Sequence, residues 1–350
     1  MKQNGLILTL MVGLLGFFSC STDVDLYADY KDVPVVYGMI DVTADTNIIK
    51  ITKAFCGNND NPINANEVAL MYDSSNYSEK LNAYIVELQS TSGQSYQATG
   101  RMFILDTLTI HDKEDGVFYA PNQLLYYTTE RFNGNGGGKK YRYRLVVVKP
   151  DGDTVTAETT PLGGEDLAIV SAGVTFQSSP ADALNKLMFR SSEEGVIYDF
   201  KMQFNYREQH VGQEMVRKHV SWSYGAKPLS SYEKVSNTDN AYYHYYSPNT
   251  LFNVLAQAIG SDTVWSESHP NVVRYIDDFV VIMSVGGHEL YQYYENNNVL
   301  ESSFSVTNFS NINGGVGLFS SRVVIYNTPR LSSATRRDLF AKKSWGFKED

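Results

Sequence analysis

The sequence predicts a mainly β protein of two domains, an antiparallel β-sandwich over residues 33–162 followed by an α+β domain over residues 165–335. Three observations carry that expectation. Aromatic residues make up 13% of the 350-residue chain, with 25 Tyr and 17 Phe, types that favour pleated, half-buried strands. Apolar and polar residues alternate in short runs broken by polar turns, and helical spacing is confined to two stretches of the second half. The length left after the N-terminal segment exceeds one small domain and suits two units of about 150 residues.

Residues 1–20 read as a secretory leader. Lys2 precedes an apolar run from Leu6 to Phe18, too short for a stable membrane span, and the run closes on Ser19-Cys20. Gly16-Phe17-Phe18-Ser19-Cys20 resembles the box that ends a bacterial lipoprotein signal, with Phe17 where Leu is usual and Phe18 where a small residue is usual. Cys20 is therefore the expected lipid-attachment site and residues 21–32 a polar tether. Several acyl chains on one cysteine anchor firmly, at about 0.8 kcal/mol per buried methylene. Asp23 and Asp25, close behind the anchor, resemble a surface-export signal.

The first strand is expected at Val33–Ile40, where Pro34 suits a strand start or edge. Further strands are read at Ile48–Phe55, Leu81–Leu88, Met102–Ile110 and Leu124–Thr129. Between them Gly57–Ser78, polar and asparagine-rich, is a surface loop with room for one helical turn. The clearest strand is Tyr141–Val148, whose alternation sends Tyr141, Tyr143 and Leu145 inward and Arg142 and Arg144 outward. Asp151-Gly152 then turns the chain into Thr154–Thr159. The Tyr-x-Tyr-x-Leu pattern is similar to the penultimate strand of immunoglobulin-like and fibronectin-type domains, so the expected sandwich is immunoglobulin-like. Pro161–Asp166, with Gly163-Gly164 as a flexible joint, marks the boundary.

The second half mixes strands and helices. Strands are read at Leu187–Ser191, Val196–Arg207 and Arg217–Tyr224. A helix is predicted over Pro248–Ile259: Ser247 can cap it, Pro248 suits its first position and Gly260 its stop. Leu251, Val254, Leu255, Ala258 and Ile259 form its buried stripe. A long strand, Val272–Val285, leads through Gly286-Gly287 to a short helix around His288–Asn296, and a final strand covers Ser321–Asn327. Residues 336–350 read as a mobile charged tail.

The formal net charge is −10, and loss of Lys2 with the leader takes it to −11, so no overall positive field exists to attract nucleic acid. With Cys20 lipidated, Cys56 has no partner and the mature chain forms no internal disulfide. Motifs for chemistry are all incomplete. His288-Glu289 starts a zinc-protease helix, but Gln292 stands in place of the second histidine. Gly134–Gly138 before Lys139-Lys140 lacks the first glycine and the Ser or Thr of a phosphate loop, and a strand follows instead of a helix. Ser221-Trp222-Ser223-Tyr224-Gly225 lacks the first glycine of a nucleophile elbow. Glu193-Glu194 and Asp277-Asp278 are adjacent carboxylates which, on strands, face opposite ways. No catalytic residue, metal or cofactor is expected.

What remains is aromatic. Tyr242, Tyr243, Tyr245 and Tyr246 flank His244, with Trp222 and Trp265 in the same half. Tyrosine and tryptophan supply flat amphipathic contact area at low entropic cost, suited to sugar rings, peptides and protein partners. These six residues are the candidate ligand or partner surface. The alternative is that alternate tyrosines pack inward as core.

Two stretches also carry a family resemblance. Val35-Val36-Tyr37-Gly38 and Asn311-Ile312-Asn313-Gly314-Gly315-Val316-Gly317-Leu318-Phe319 resemble an uncharacterised family of Bacteroidetes outer-membrane lipoproteins, a domain of unknown function. In that family an aromatic-rich helix like Leu290–Tyr294 precedes the glycine segment, and Asn313 stands where an acidic residue is usual. The resemblance implies an outer-membrane lipoprotein working beside an energy-coupled transporter, and it brings no catalytic residues. The expectation is a lipid-anchored outer-membrane protein, periplasmic or surface-facing, that binds: it captures an extracellular glycan or peptide, or docks to a transporter. A structural or adhesive role is the alternative, and an extracellular hydrolase ranks third.

Overall fold

The computed structural model describes residues 33–54, 69–90, 95–111, 119, 122–163, 166–179, 183–236, 240–259, 271–298 and 309–349. The protein is mainly β, 52% strand and 14% helix, with several antiparallel sheets. No helix among the described residues is long and apolar enough to cross a membrane.

The first half runs β1 (Pro34–Ile40), β2 (Asn47–Lys53), one helical turn α1 (Tyr72–Ser75), β3 (Asn82–Ser90), β4 (Tyr96–Ile104), β5 (Asp106–Ile110), β6 (Gln123–Thr128), β7 (Lys140–Val148) and β8 (Thr154–Thr159). One sheet has the order β4-β3-β7-β8, and β1-β2-β6-β5 faces it. Alternation decides what lies between them. Tyr143, Leu145, Ile85 and Phe103 from one sheet meet Val36, Ile49 and Tyr126 from the other, all buried, while Arg142 and Arg144 stay exposed. The run read as a single strand over Met102–Ile110 divides at Leu105. That residue is buried and its N–H donates to the Ala83 carbonyl at 3.0 Å, so β4 and β5 fall in different sheets.

The second half continues through β9 (Ala168–Ile169), β10 (Gly173–Val174), β11 (Asn185–Arg190), β12 (Ile197–His210), β13 (Val216–Ser223), β14 (Lys227–Pro228), β15 (Glu233–Lys234), β16 (Ala241–Tyr246), α2 (Thr250–Ile259), β17 (Val272–Gly286), α3 (His288–Asn298), β18 (Val316–Asn327), β19 (Arg330–Leu331), α4 (Ser333–Ala341) and β20 (Phe347–Lys348). A four-stranded sheet, β15-β16-β11-β9, packs with α2 against the long strands β12 and β17 around a second core that includes Phe176, Phe189, Phe200, Phe204 and Leu255.

The halves share a sheet. Its order is β13-β12-β17-β18-β1-β2-β6-β5, and the link is a parallel pairing of β1 with the first half of β18, from Val35 opposite Val316 to Ile40 opposite Ser321. The second half of β18 pairs antiparallel with β17. Phe319 is fully buried in the first core and Val323 in the second, so one strand is common to both. The two stretches that carry the family resemblance are thus neighbours in space. Gly317 makes that approach feasible: its φ is +122°, and a Cβ there would sit 2.0 Å from the Val36 carbonyl oxygen. The Asn311 side chain holds the segment, donating to the Glu158 and Phe319 carbonyls at 3.2 and 2.7 Å and accepting from the Phe319 N–H at 2.9 Å.

Several expectations need correction. The tail read at 336–350 is folded as far as residue 349: α4 buries Leu339, Ser332 caps it by accepting from the Thr335 N–H, and Phe347 packs on Phe204 and Tyr206. Apolar residues spaced among charges were enough to anchor it. The expected joint at residue 163 is tight. Leu162 is fully buried, and a Cβ on Gly163 would lie 2.2 Å from the Asn135 carbonyl oxygen, while Gly164 is outside the described residues. Helix α2 starts at Thr250 and not at Pro248, because the Ser247 hydroxyl bonds the Asn249 side chain; Phe252 is buried and Ala258 exposed. Glu193-Glu194 form a turn on which Lys140 pairs with both carboxylates. Asp277-Asp278 fall where the β12–β17 register shifts, and this bulge exposes both, Asp277 to Arg207 and Asp278 to Asn205.

Candidate functional site

The tyrosine strand splits as alternation requires. On β16 the residues Tyr242, His244 and Tyr246 face the second core: Tyr242 stacks on Phe189 at 5.7 Å, His244 on Phe200 at 4.3 Å, and Tyr246 meets Phe176 at 5.2 Å. Tyr243 and Tyr245 point the other way, 6.2 Å apart. The Lys186 ammonium lies over the Tyr243 ring at 4.0 Å, and the Tyr245 hydroxyl donates to Glu233 at 2.7 Å, which raises its pKa. Trp222 belongs to the core side: it packs on Phe176 and Phe279, and its indole N–H donates to the Tyr224 hydroxyl at 2.9 Å. Of the six expected contact residues, two share an outward surface, three face the core, and Trp265 lies outside the described residues, as does Cys20.

His244 is buried, and its Nε2 has no hydrogen-bond partner among the described residues. Burial, with the Lys227 charge behind it, pushes its pKa down to about 4, so the ring is neutral at pH 7. A buried ionic cluster on β12 and β17 is structural in its geometry. Glu208 on β12 meets Arg274 of β17 at 2.7 Å, with Lys218 and His210 on its second oxygen. Burial alone would raise that carboxyl, but hydrogen bonds from Lys218 and His210 and the Arg274 charge outweigh it and hold the pKa at about 2. Among the described residues no three metal-ligating side chains converge.

A concave feature lined by two tyrosines lies elsewhere, on the outer face of β1 and β2. Strand alternation puts Val35 and Tyr37 of β1 and Lys50 and Thr52 of β2 on that face, opposite to the core residues Val36 and Ile51. Tyr119, Asn122, Gln123 and the end of α1 border it, leaving a cleft of about 290 Å³ whose lining also includes Tyr37, Lys53 and Asn76. Each tyrosine is fixed by a second ring: Tyr37 meets Tyr293 of α3 edge-on at 6.3 Å, and Tyr119 meets Tyr72 of α1 edge-on at 5.3 Å. Burial and the Tyr293 hydroxyl raise the Tyr37 pKa, yet the ring is 43% exposed. Asn76 is buried except toward the cleft, its Nδ2 donating to the Tyr72 carbonyl at 3.0 Å. Sequence reasoning missed this site because its residues come from four separated segments. The one available signal was the Tyr37 stretch that carries the family resemblance.

No family model matches this chain, and neither does any curated protein.

Proposed function

We propose that this chain is a lipid-anchored outer-membrane binding protein, an immunoglobulin-like sandwich followed by an α+β domain, which captures a small extracellular ligand in the cleft over β1 and β2. The cleft carries the reading: two ring-braced tyrosines and convergent amide groups in a concave site match the composition of small-ligand sites, which are apolar with a few placed polar groups. The immunoglobulin-like assignment is supported by the strand orders. β1-β2-β6-β5 corresponds to A-B-E-D and β4-β3-β7-β8 to C′-C-F-G. The Tyr143 hydroxyl also accepts from the Asn133 N–H at 2.7 Å, as a tyrosine at the start of strand F does in that fold. The lipid anchor rests on Ser19-Cys20 ending the apolar run, and the resemblance to Bacteroidetes lipoproteins supports the outer-membrane reading.

Docking to a membrane transporter is the second reading, favoured by the outward pair Tyr243 and Tyr245. Two measurements test the proposal. Metabolic fatty-acid labelling followed by intact mass should find acyl chains on Cys20 and none in Cys20→Ala; an unlabelled Cys20 removes the anchor. Affinity isolation from the native membrane, followed by binding assays, should show capture that Tyr37→Ala weakens with the fold intact. Capture lost instead in Tyr243→Ala/Tyr245→Ala, and untouched by Tyr37→Ala, would transfer the function to the docking surface.

A further inference from the structure

The cleft restricts its own ligand. We infer that it takes a single sugar ring bearing a carboxylate, a sugar acid; this rests on the small-ligand reading of that site. Size comes first. About 290 Å³ is at the lower end of small-molecule sites, the scale of one ring seated in the cleft. The walls come second: Tyr37 and Tyr119 are held edge-on by Tyr293 and Tyr72, so their exposed faces are fixed before binding and little ordering remains to be done.

Polar groups exclude a purely apolar ring. The Nδ2 of Asn76 is occupied by the Tyr72 carbonyl and the Ser75 hydroxyl, which leaves its Oδ1 to the cleft, and the Gln123 side chain makes no hydrogen bond among the described residues. An aromatic acid would desolvate these amides without replacing their partners, whereas sugar hydroxyls supply both donors and acceptors. Charge then selects among sugars. Lys53 lines the cleft, its ammonium 6.0 Å from the Tyr77 ring and without an ion pair among the described residues. No described lining residue is acidic, in a chain whose formal net charge is −10. A local positive field on an acidic protein favours an anion there.

The test is calorimetric titration of the full chain in detergent micelles with three probes: glucuronate, glucose and benzoate. Glucuronate should bind about tenfold or more tightly than glucose, a ratio that corresponds to ~1.4 kcal/mol, and benzoate should bind more weakly than glucuronate. Added salt should weaken glucuronate and leave glucose unchanged. Lys53→Gln, or Lys53→Met if the first variant misfolds, should bring glucuronate down to the level of glucose. Equal binding of glucose and glucuronate in the parent chain overturns the charge selection and leaves the cleft reading standing. Benzoate binding best overturns the sugar assignment. No heat with any of the probes, together with native capture that Tyr37→Ala does not change, overturns both.

Discussion

Removing the Tyr143 hydroxyl, and then its whole ring, tests whether the shared sheet makes the two cores one cooperative unit. The ring is fully buried between Phe103 and Phe132, at 5.8 and 4.8 Å. Its hydroxyl accepts from the Asn133 N–H at 2.7 Å and lies 3.0 Å from the Asn133 carbonyl and 3.1 Å from the buried Glu87 carboxylate. Glu87 keeps the Asn133 side chain at 2.8 Å and Thr99 at 3.0 Å, so Tyr143→Phe strands chiefly the Asn133 N–H. The expected cost is about 1–3 kcal/mol, that of one buried unsatisfied group. Tyr143→Ala also opens a cavity, for a total of about 3–5 kcal/mol.

The assay uses a convenient asymmetry. Trp222 and Trp345 both pack in the second core, away from Tyr143, and a Trp265→Phe background leaves only those two reporters. Denaturant unfolding should then show the tryptophan signal and the far-UV circular dichroism moving together to lower midpoint, with Tyr143→Ala displaced further than Tyr143→Phe. A tryptophan transition that stays at the parent midpoint while the dichroism loses an early phase would refute the reasoning, since the first core would then melt without disturbing the second.

Gly317→Ala should destabilise by well over ~1 kcal/mol, because φ there is +122° and the new methyl meets the Val36 carbonyl; hydrogen exchange on β1 should rise first. His244 gives the protein an acid-sensitive element. Its folded pKa near 4 lies below its ordinary 6.5, so unfolded chains bind the proton first, and about 3 kcal/mol present above pH 6.5 is lost as pH falls to 4. In His244→Phe that slope should flatten in denaturation measured across this range. On β16, Tyr246→Ala should cost about 3–5 kcal/mol, whereas Tyr245→Ala, at an exposed position, should stay within about 0.5 kcal/mol. Thermal melts of the two variants check the split.

Where each residue's neighbours are the cause of its conformation, the sequence was readable. Tyr141 to Leu145 alternate and therefore face alternately, and β17 and α3 begin at Val272 and His288 where the pattern changes. Where a distant partner is the cause, it was not. The first half of β18 holds Gly317, a poor strand residue on local grounds, and only the nearness of Val36 makes glycine necessary there. Leu105 reads as mid-strand until the facing sheet is known to take over at Asp106. The same reason hid the cleft: Tyr37, Asn76 and Tyr119 have no common spacing, and they meet only in the folded chain. The tyrosine cluster was legible as a cluster, and its division between core and surface follows from the two-residue period alone.

The β1–β18 pairing sets an order of events for biogenesis. β1 waits for a strand far along the chain, so its edge stays open and the Phe319 position in the first core stays empty until residues 316–321 have emerged. Such distant closure slows folding and lengthens the time during which aggregation competes. A shortened chain ending before residue 316 would present β1 as a bare edge beside a half-filled core, and quality control could recognise it by that unpaired strand.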